Sequence, residues 1–444
     1  MTAVRPHDGR SPTDAQHMTS SMRNERLYNK TVLENGMRVV TEQIPHLHSV
    51  SMGIWLNLGS RDEQEDETGL THFIEHMLFK GTDKRSAQEI AKQLDAVGGM
   101  SNAFTSKENT CFHAKVLDTH LPLVVDILSD IFLHSVFDQR EVEREREVIL
   151  QEIKMVEDTP DEYVHLLFNR AFWDGNPLAR PIFGNVQTVR SFNREKILEY
   201  LNRGYHPDRI VLSAAGNVDH QEFLELVEPA FNSIKRHSHD LNRVPPNDNS
   251  SVSLYPRELE QIHLCLGTRG TSMVDNGRYC CSILNVILGG SMSSRLFQEV
   301  RERRGLAYSI YSFLSSHTDT GMVGIYGAVR PDNIEETLEL IRHELRRFKR
   351  EPISDTELRA AKEHIKGGIY LAAENTDNRM SRLAKNEIIF NRFVAYDEIE
   401  EGLERVTVED VQALAQEIFR PEVMSLVLHG QVDGLEVDQT YLDL

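Results

Sequence analysis

Alternating and helically spaced apolar positions take turns along this chain, and their order predicts most of its elements. Thr31-Val32-Leu33-Glu34-Asn35-Gly36-Met37-Arg38-Val39-Val40 sets two β-prone runs about an Asn-Gly turn, a hairpin signature. Ser49 to Leu58 (SVSMGIWLNL) supplies another strand, and Ser101 to Ser106 and Thr110 to Val116 read as two more. Ser86 to Val97 is amphipathic with helical spacing and closes at Gly98-Gly99, a helix stop. Leu121 to Phe132 predicts an apolar helix, and Glu141 to Glu157 (EVEREREVILQEIKMVE) a long charged one. Asn176-Pro177 and Arg180-Pro181 break the chain into a loop after Trp173. A helix capped near Asn193 then runs to Asn202, followed by the strand Ile210 to Ala215.

Residues 236–250 (RHSHDLNRVPPNDNS) are polar with two prolines and predict a linker between units at 28–235 and 251–444. Residues 1–27 predict a disordered tail. The second unit repeats the first. Asn193 to Asp219 aligns without gaps on Thr407 to Asp433, pairing Pro207 with Pro421, Gly216 with Gly430 and Asp219 with Asp433. The charged helix has its counterpart in Thr356 to Tyr370 (TELRAAKEHIKGGIY). The expected fold class is therefore α+β, a duplicated α/β unit with an antiparallel sheet covered by helices.

At 444 residues the chain is too long for a single core. Its net charge of −20 makes nucleic acid a poor partner and basic or unfolded polypeptide a better one. No apolar run approaches the ~20 residues that cross a membrane, and the N-terminus lacks the apolar segment of a secretory signal. Cys111, Cys265, Cys280 and Cys281 have no C-x-x-C spacing and read as reduced, buried small hydrophobes. Together these features predict a cytoplasmic protein without a membrane partner.

The chemistry concentrates in Gly69-Leu70-Thr71-His72-Phe73-Ile74-Glu75-His76-Met77-Leu78-Phe79. If this stretch is helical, His72 and His76 lie one turn apart on one face and can share a metal ion. Glu75 then projects from the edge of that face, placed to reach a water: the H-x-x-E-H arrangement of a zinc hydrolase. A catalytic zinc needs three protein ligands, and the charged helix is the natural donor of the third. Glu145 and Glu152, seven residues apart, share a face there. Val148 and Ile149 between them predict that this face turns inward, where a glutamate needs a metal or a basic partner. The counterparts in the second unit are Ala361 and Gly368, so one copy carries the chemistry and the other does not.

The pattern GSRDE…GLTHFIEHMLFKGT (Gly59 to Thr82), GGMSNAFTSKENT (Gly98 to Thr110), EREREVILQEI (Glu143 to Ile153) and GGSMSSRLFQEVRERRGLAYSIYS in the second half resembles the M16 (pitrilysin/insulinase) metallopeptidases. The likeness is greatest to the short-chain branch that includes mitochondrial processing peptidase, and it runs from about Tyr28 to Asp433. It implies Zn²⁺, one per chain, held by His72, His76 and Glu152, with Glu75 as general base and Glu145 supporting a histidine. It further implies that unfolded peptide or presequence-like segments add as an extra strand at Asn102, Ala103 and Phe104. Arg301 and Tyr308 match an Arg/Tyr pair that the second half contributes to the active site. Two departures stand out: Asn176-Pro177-Leu178-Ala179-Arg180 replaces the common H-P-L-G-R, and Phe112 stands where tyrosine is frequent. In the family, two such units form half of a clamshell around a closed chamber. A homodimer, or a heterodimer with a non-catalytic relative, is therefore expected. A catalytically inactive scaffold of the same fold is the competing reading.

Overall fold

The computed structural model describes residues 27–235 and 241–444, so the predicted tail up to residue 26 and the first five residues of the predicted linker lie outside it. The first unit runs β1 (Tyr28–Val32), β2 (Arg38–Gln43), β3 (Ser49–Leu56), α1 (Leu70–Leu78), α2 (Ala87–Ala96), β4 (Met100–Thr105), β5 (Thr110–Leu117), α3 (Leu121–His134), α4 (Gln139–Glu157), α5 (Pro160–Phe172), α6 (Val186–Ser191), α7 (Arg194–Gly204), β6 (Ile210–Gly216) and α8 (His220–Phe231). The second runs β7 (Ser251–Pro256), β8 (Ile262–Gly270), α9 (Arg278–Leu288), a π-helical stretch (Phe297–Arg303), β9 (Ala307–Ser316), β10 (Gly321–Val329), α10 (Ile334–Arg350), α11 (Asp355–Ala372), α12 (Thr376–Phe390), α13 (Tyr396–Glu404), α14 (Val408–Ile418) and β11 (Met424–Gly430).

Six strands form one sheet in the order β1-β2-β6-β3-β5-β4, and five form the other, β7-β11-β8-β10-β9. Each is antiparallel except for one pair, β2 with β6 and β7 with β11, which run parallel. The two sheets thus share one plan, in line with the duplication. The helix-strand pair α7–β6 and its counterpart α14–β11 match residue for residue at their ends. Even a backbone constraint is repeated. Gly216 and Gly430 both have positive φ (129° and 144°), and a Cβ would fall 2.2 Å from the Ser49 carbonyl oxygen in one and 2.7 Å from that of Gln261 in the other. Neither position tolerates a side chain.

Each sheet has two covered faces. One face of the first sheet packs against that unit's own helices through Phe73, Ile74, Ile127, Leu128 and Ile149. The second sheet does the same through Ile283, Leu284, Ile341 and Leu345. The opposite faces are covered by an exchange that periodicity could not reveal. From the first unit, α5 lays Val164, Leu167 and Phe168 on Cys265, Tyr326 and Val427 of the second sheet. From the second unit, α12 lays Met380, Leu383 and Ala384 on Val40, Trp55 and Val211 of the first. All four cysteines are free and buried. Among the described residues, no helix is long and apolar enough to cross a membrane.

The described part of the predicted linker is a strap bound along the first unit. Arg243 pairs with Asp62 at 2.7 Å and donates to the Glu108 carbonyl oxygen at 2.9 Å. The Val244 carbonyl oxygen accepts from Arg61 (2.9 Å) and Asn176 (3.0 Å), and Asn249 donates to the Ala171 carbonyl oxygen (2.6 Å). Two polar side chains of the stretch, Arg243 and Asn249, and one backbone carbonyl supply these bonds.

Candidate metal centre

The helix α1 starts at Gly69, whose φ of 97° lies in the left-handed region, and a Cβ there would come 2.6 Å from Gly184 Cα. Only glycine fits. The Glu63 carboxylate accepts from the backbone N–H of Gly69 (2.9 Å) and of Thr71 (2.7 Å). It thereby satisfies two of the donors that every helix leaves free at its start, at the positive end of the helix dipole. Burial pushes the Glu63 carboxyl up to about 8, and the two backbone hydrogen bonds act against that rise. Leu70, Phe73, Ile74 and Met77 are buried in the first core, which fixes the rotation of the helix about its axis. His72, Glu75 and His76 are left facing α4 and the edge of the sheet.

Across from them, Glu152 reaches both histidines. Its Oε1 lies 3.8 Å from His72 Nε2 and its Oε2 lies 3.8 Å from His76 Nε2. One ligand atom from each of the three residues falls within 4.8 Å of the others. Ligands of a tetrahedral zinc sit about 3.4 Å apart, so small side-chain rotations that draw the three atoms together would let the cluster hold one. Burial, and after it the neighbouring His76, lower the His72 pKa to about 4, so its imidazole is neutral and able to ligate at neutral pH. Two imidazole nitrogens and a carboxylate fit zinc as a donor set.

Spacing alone left Glu145 and Glu152 open as the third ligand, and the family resemblance pointed to Glu152; the two stand in different places in the structure. Glu145 is buried behind His76, its Oε2 3.2 Å from Nδ1, while its Oε1 pairs with Lys80 Nζ at 2.7 Å. Paired with the Lys80 ammonium, the Glu145 carboxylate serves His76 as an acceptor, which places the proton on Nδ1 and leaves the Nε2 lone pair for the cluster. Spacing did not single out Lys80, which lies just beyond the end of α1. The inward face expected between the two glutamates is corrected in part. Ile149 is fully buried, but Val148 is 43% exposed, because the buried stripe runs Val142, Glu145, Ile149, Ile153, Val156 and leaves Val148 on its rim.

β4 is one of the two edge strands of its sheet. Strand alternation puts Ala103 and Thr105 on the α1 side and turns Phe104 to the other face, where its ring meets Trp55 edge-on at 5.4 Å. The Phe104 side chain therefore points away from the cluster, and only its backbone can meet a peptide on the α1 side. Asn102 is exposed, and its Oδ1 accepts from the Ala103 N–H at 2.9 Å. Between α1 and β4 opens a cavity of about 320 Å³ lined by Glu75, His76, Phe79, Lys80, Ser101, Asn102 and Ala103. Thr105 Oγ1 donates to Glu75 Oε2 at 2.6 Å, a contact that no spacing rule announces. Burial raises the Glu75 pKa, the Thr105 hydrogen bond and His76 oppose the rise, and Glu152 adds to it.

Arg301 and Tyr308 meet each other and not the cluster. The Arg301 guanidinium lies 4.5 Å over the Tyr308 ring and 4.8 Å over Phe297. Tyr308 is 81% exposed on β9, the free edge of the second sheet. Among the described residues, no hydrogen bond, ion pair or ring contact joins this pair to His72, His76 or Glu152.

The family model described as Insulinase (Peptidase family M16) matches residues 38–186, and the model described as Peptidase M16 inactive domain matches residues 191–365. The uncharacterized zinc protease YmxG of Bacillus subtilis is 43% identical over 386 residues, covering 87% of this chain and 94% of that protein. An uncharacterized zinc protease of Streptomyces coelicolor is 40% identical over 398 residues, covering 88% and 87%. A protease from Helicobacter pylori superposes with a TM-score of 0.85 at 20% identity, covering 90% of this chain and 99% of that one, a likeness of fold.

Proposed function

The chain belongs to the insulinase family of peptidases, M16, a zinc-dependent family, and from that premise we propose that it is an endopeptidase acting on unfolded peptide segments. The observation that carries the proposal is the convergence of His72, His76 and Glu152 with Glu75 beside them, next to a sheet edge open to a further strand. Zinc held by His72, His76 and Glu152 would supply Lewis acidity to polarise the scissile carbonyl and activate water. Glu75 takes the proton of the attacking water and hands it to the leaving nitrogen. Its raised pKa makes it a better base than an ordinary glutamate and a usable acid afterwards. β4 binds the peptide backbone by strand addition, so recognition favours extended, unfolded chains over folded ones.

Tyr308 stands exposed and Arg301 half-buried beside it, unconnected to this chain's cluster, so a role at the developing oxyanion calls for a second chain to present them. We therefore include in the proposal a homodimer enclosing a chamber, each site completed by the partner's Arg/Tyr pair. The second reading, a non-catalytic scaffold, draws on the match of residues 191–365 to an inactive domain; that match concerns the half in which Ala361 and Gly368 replace the glutamates.

The test is metal analysis of the purified chain alone together with digestion of an unstructured peptide, for the parent and for Glu75→Gln. The expected outcome is a zinc-loaded variant with cleavage reduced about 10²- to 10⁴-fold. Equal cleavage by the variant would remove Glu75 as the base, and a zinc-loaded parent that cleaves nothing would favour the scaffold.

A further inference from the structure

Glu75 is a three-torsion side chain on a helix surface, and a general base works only if one oxygen is kept aimed at the reacting water. We propose that Thr105 is a positioning residue for Glu75: its hydroxyl occupies Oε2 and leaves Oε1 directed to the site. The inference rests on the peptidase reading above and assigns a further residue within it.

The hydroxyl is itself held. Thr105 is the last residue of β4, paired with Thr110 of β5, and a β-branched side chain in a strand has restricted χ1 freedom. The turn beyond it closes through Ser106 N–H to the Asn109 carbonyl oxygen (2.8 Å) and Asn109 N–H to Ser106 Oγ (3.0 Å). Two backbone bonds then fix the turn to the loop before α1: Ser60 N–H to the Ser106 carbonyl oxygen (3.1 Å) and Arg61 N–H to that of Lys107 (2.8 Å). The approach is so close that a Cβ at Gly59 would fall 2.5 Å from the Ser106 oxygen. The second unit adds the last fastening. The buried Glu108 carboxylate accepts from Arg61 (2.6 Å), from Thr318 N–H (2.9 Å) and from Thr318 Oγ1 (2.8 Å), and Arg61 also pairs with Asp319. The turn between β9 and β10 thereby clamps the hairpin that aims the base. A 2.6 Å bond from a donor fixed in this way restricts Glu75 more than a solvent hydrogen bond could.

The experiment compares parent, Thr105→Val and Thr105→Ser as full-length, zinc-loaded chains. It reads kcat and KM on an unstructured peptide, zinc content and melting temperature. Valine keeps the shape and strand propensity without the hydroxyl; serine keeps the hydroxyl. Loss of this hydrogen bond to the Glu75 carboxyl predicts a fall in kcat of about 10- to 100-fold for T105V, with KM and zinc content at parental values. T105S should restore kcat to within a few-fold of the parent. Parental kcat in T105V overturns the assignment. So does a T105S that falls as far as T105V, or a T105V that loses zinc, which would mark a merely structural role. Should T105V fail to fold, Thr105→Ala carries the same expectations. A parent that cleaves nothing overturns the peptidase reading and this inference together, whereas an active parent with an unaffected T105V overturns this inference alone.

Discussion

α4 and α11 occupy equivalent places in the two units and begin at matching residues, Gln139 and Asp355, yet they present opposite surfaces. Where α4 carries Glu145, buried and bonded to both His76 and Lys80, α11 carries the small, buried Ala361. Where α4 sends Glu152 to two histidines, α11 has Gly368, and a Cβ there would meet nothing within 4 Å. The backbone plan is thus indifferent to the chemistry. A fold of this kind sets positions and directions, and a few side chains at those positions decide whether a metal is held.

The comparison can be broken at three points, in order of expected size. Glu152→Gln removes the charge and one ligand from α4 and should lower zinc affinity by more than 100-fold; metal analysis after dialysis against a weak chelator would read it. Unchanged zinc content would remove Glu152 from the ligand set. Lys80→Met leaves the ligands in place but frees Glu145 from its ammonium partner, so His76 is less firmly oriented; a loss of about 10-fold in zinc affinity is expected by competition with a chromogenic chelator. The smallest effect belongs to the other helix. Gly368→Ala adds a methyl group in open space within a helix interior and should raise unfolding stability by about 0.5–1 kcal/mol in a urea titration, with zinc content unchanged. A loss of zinc in that variant would contradict the separation of roles between the two copies.

What the sequence disclosed and what it withheld follow from the range of the interactions. The His72–His76 pair, the opposing glutamates and the repeat around Gly216 and Gly430 were legible because each depends on spacing within one element or on comparison of one segment with another. The destination of an amphipathic helix was not. Val164, Leu167 and Phe168 announce an apolar stripe on α5, but nothing local says that it covers the second unit's sheet rather than its own. Spacing could not divide the labour between Glu145 and Glu152, since both share a face and only one reaches His72; that division came from the family resemblance. Lys80 and Thr105 escaped for a related reason: their partners lie 65 and 30 residues away along the chain, across contacts made only when α1 meets α4 and β4. Phe104 was placed on the correct strand, and the strand's alternation then turned its ring to the opposite face.

The traded helices α5 and α12 make each half of the chain a structural tenant of the other. Pulling the two sheets apart would strip Val164, Leu167 and Phe168 from one and Met380, Leu383 and Ala384 from the other, exposing buried side chains worth roughly 10 kcal/mol in total. That is comparable with the whole stability of an ordinary domain. Breathing at the seam between the halves is therefore too costly to serve as a door. The same interlocking means that a cut within residues 241–250 would yield a nicked but undivided molecule, held together by its exchanged helices.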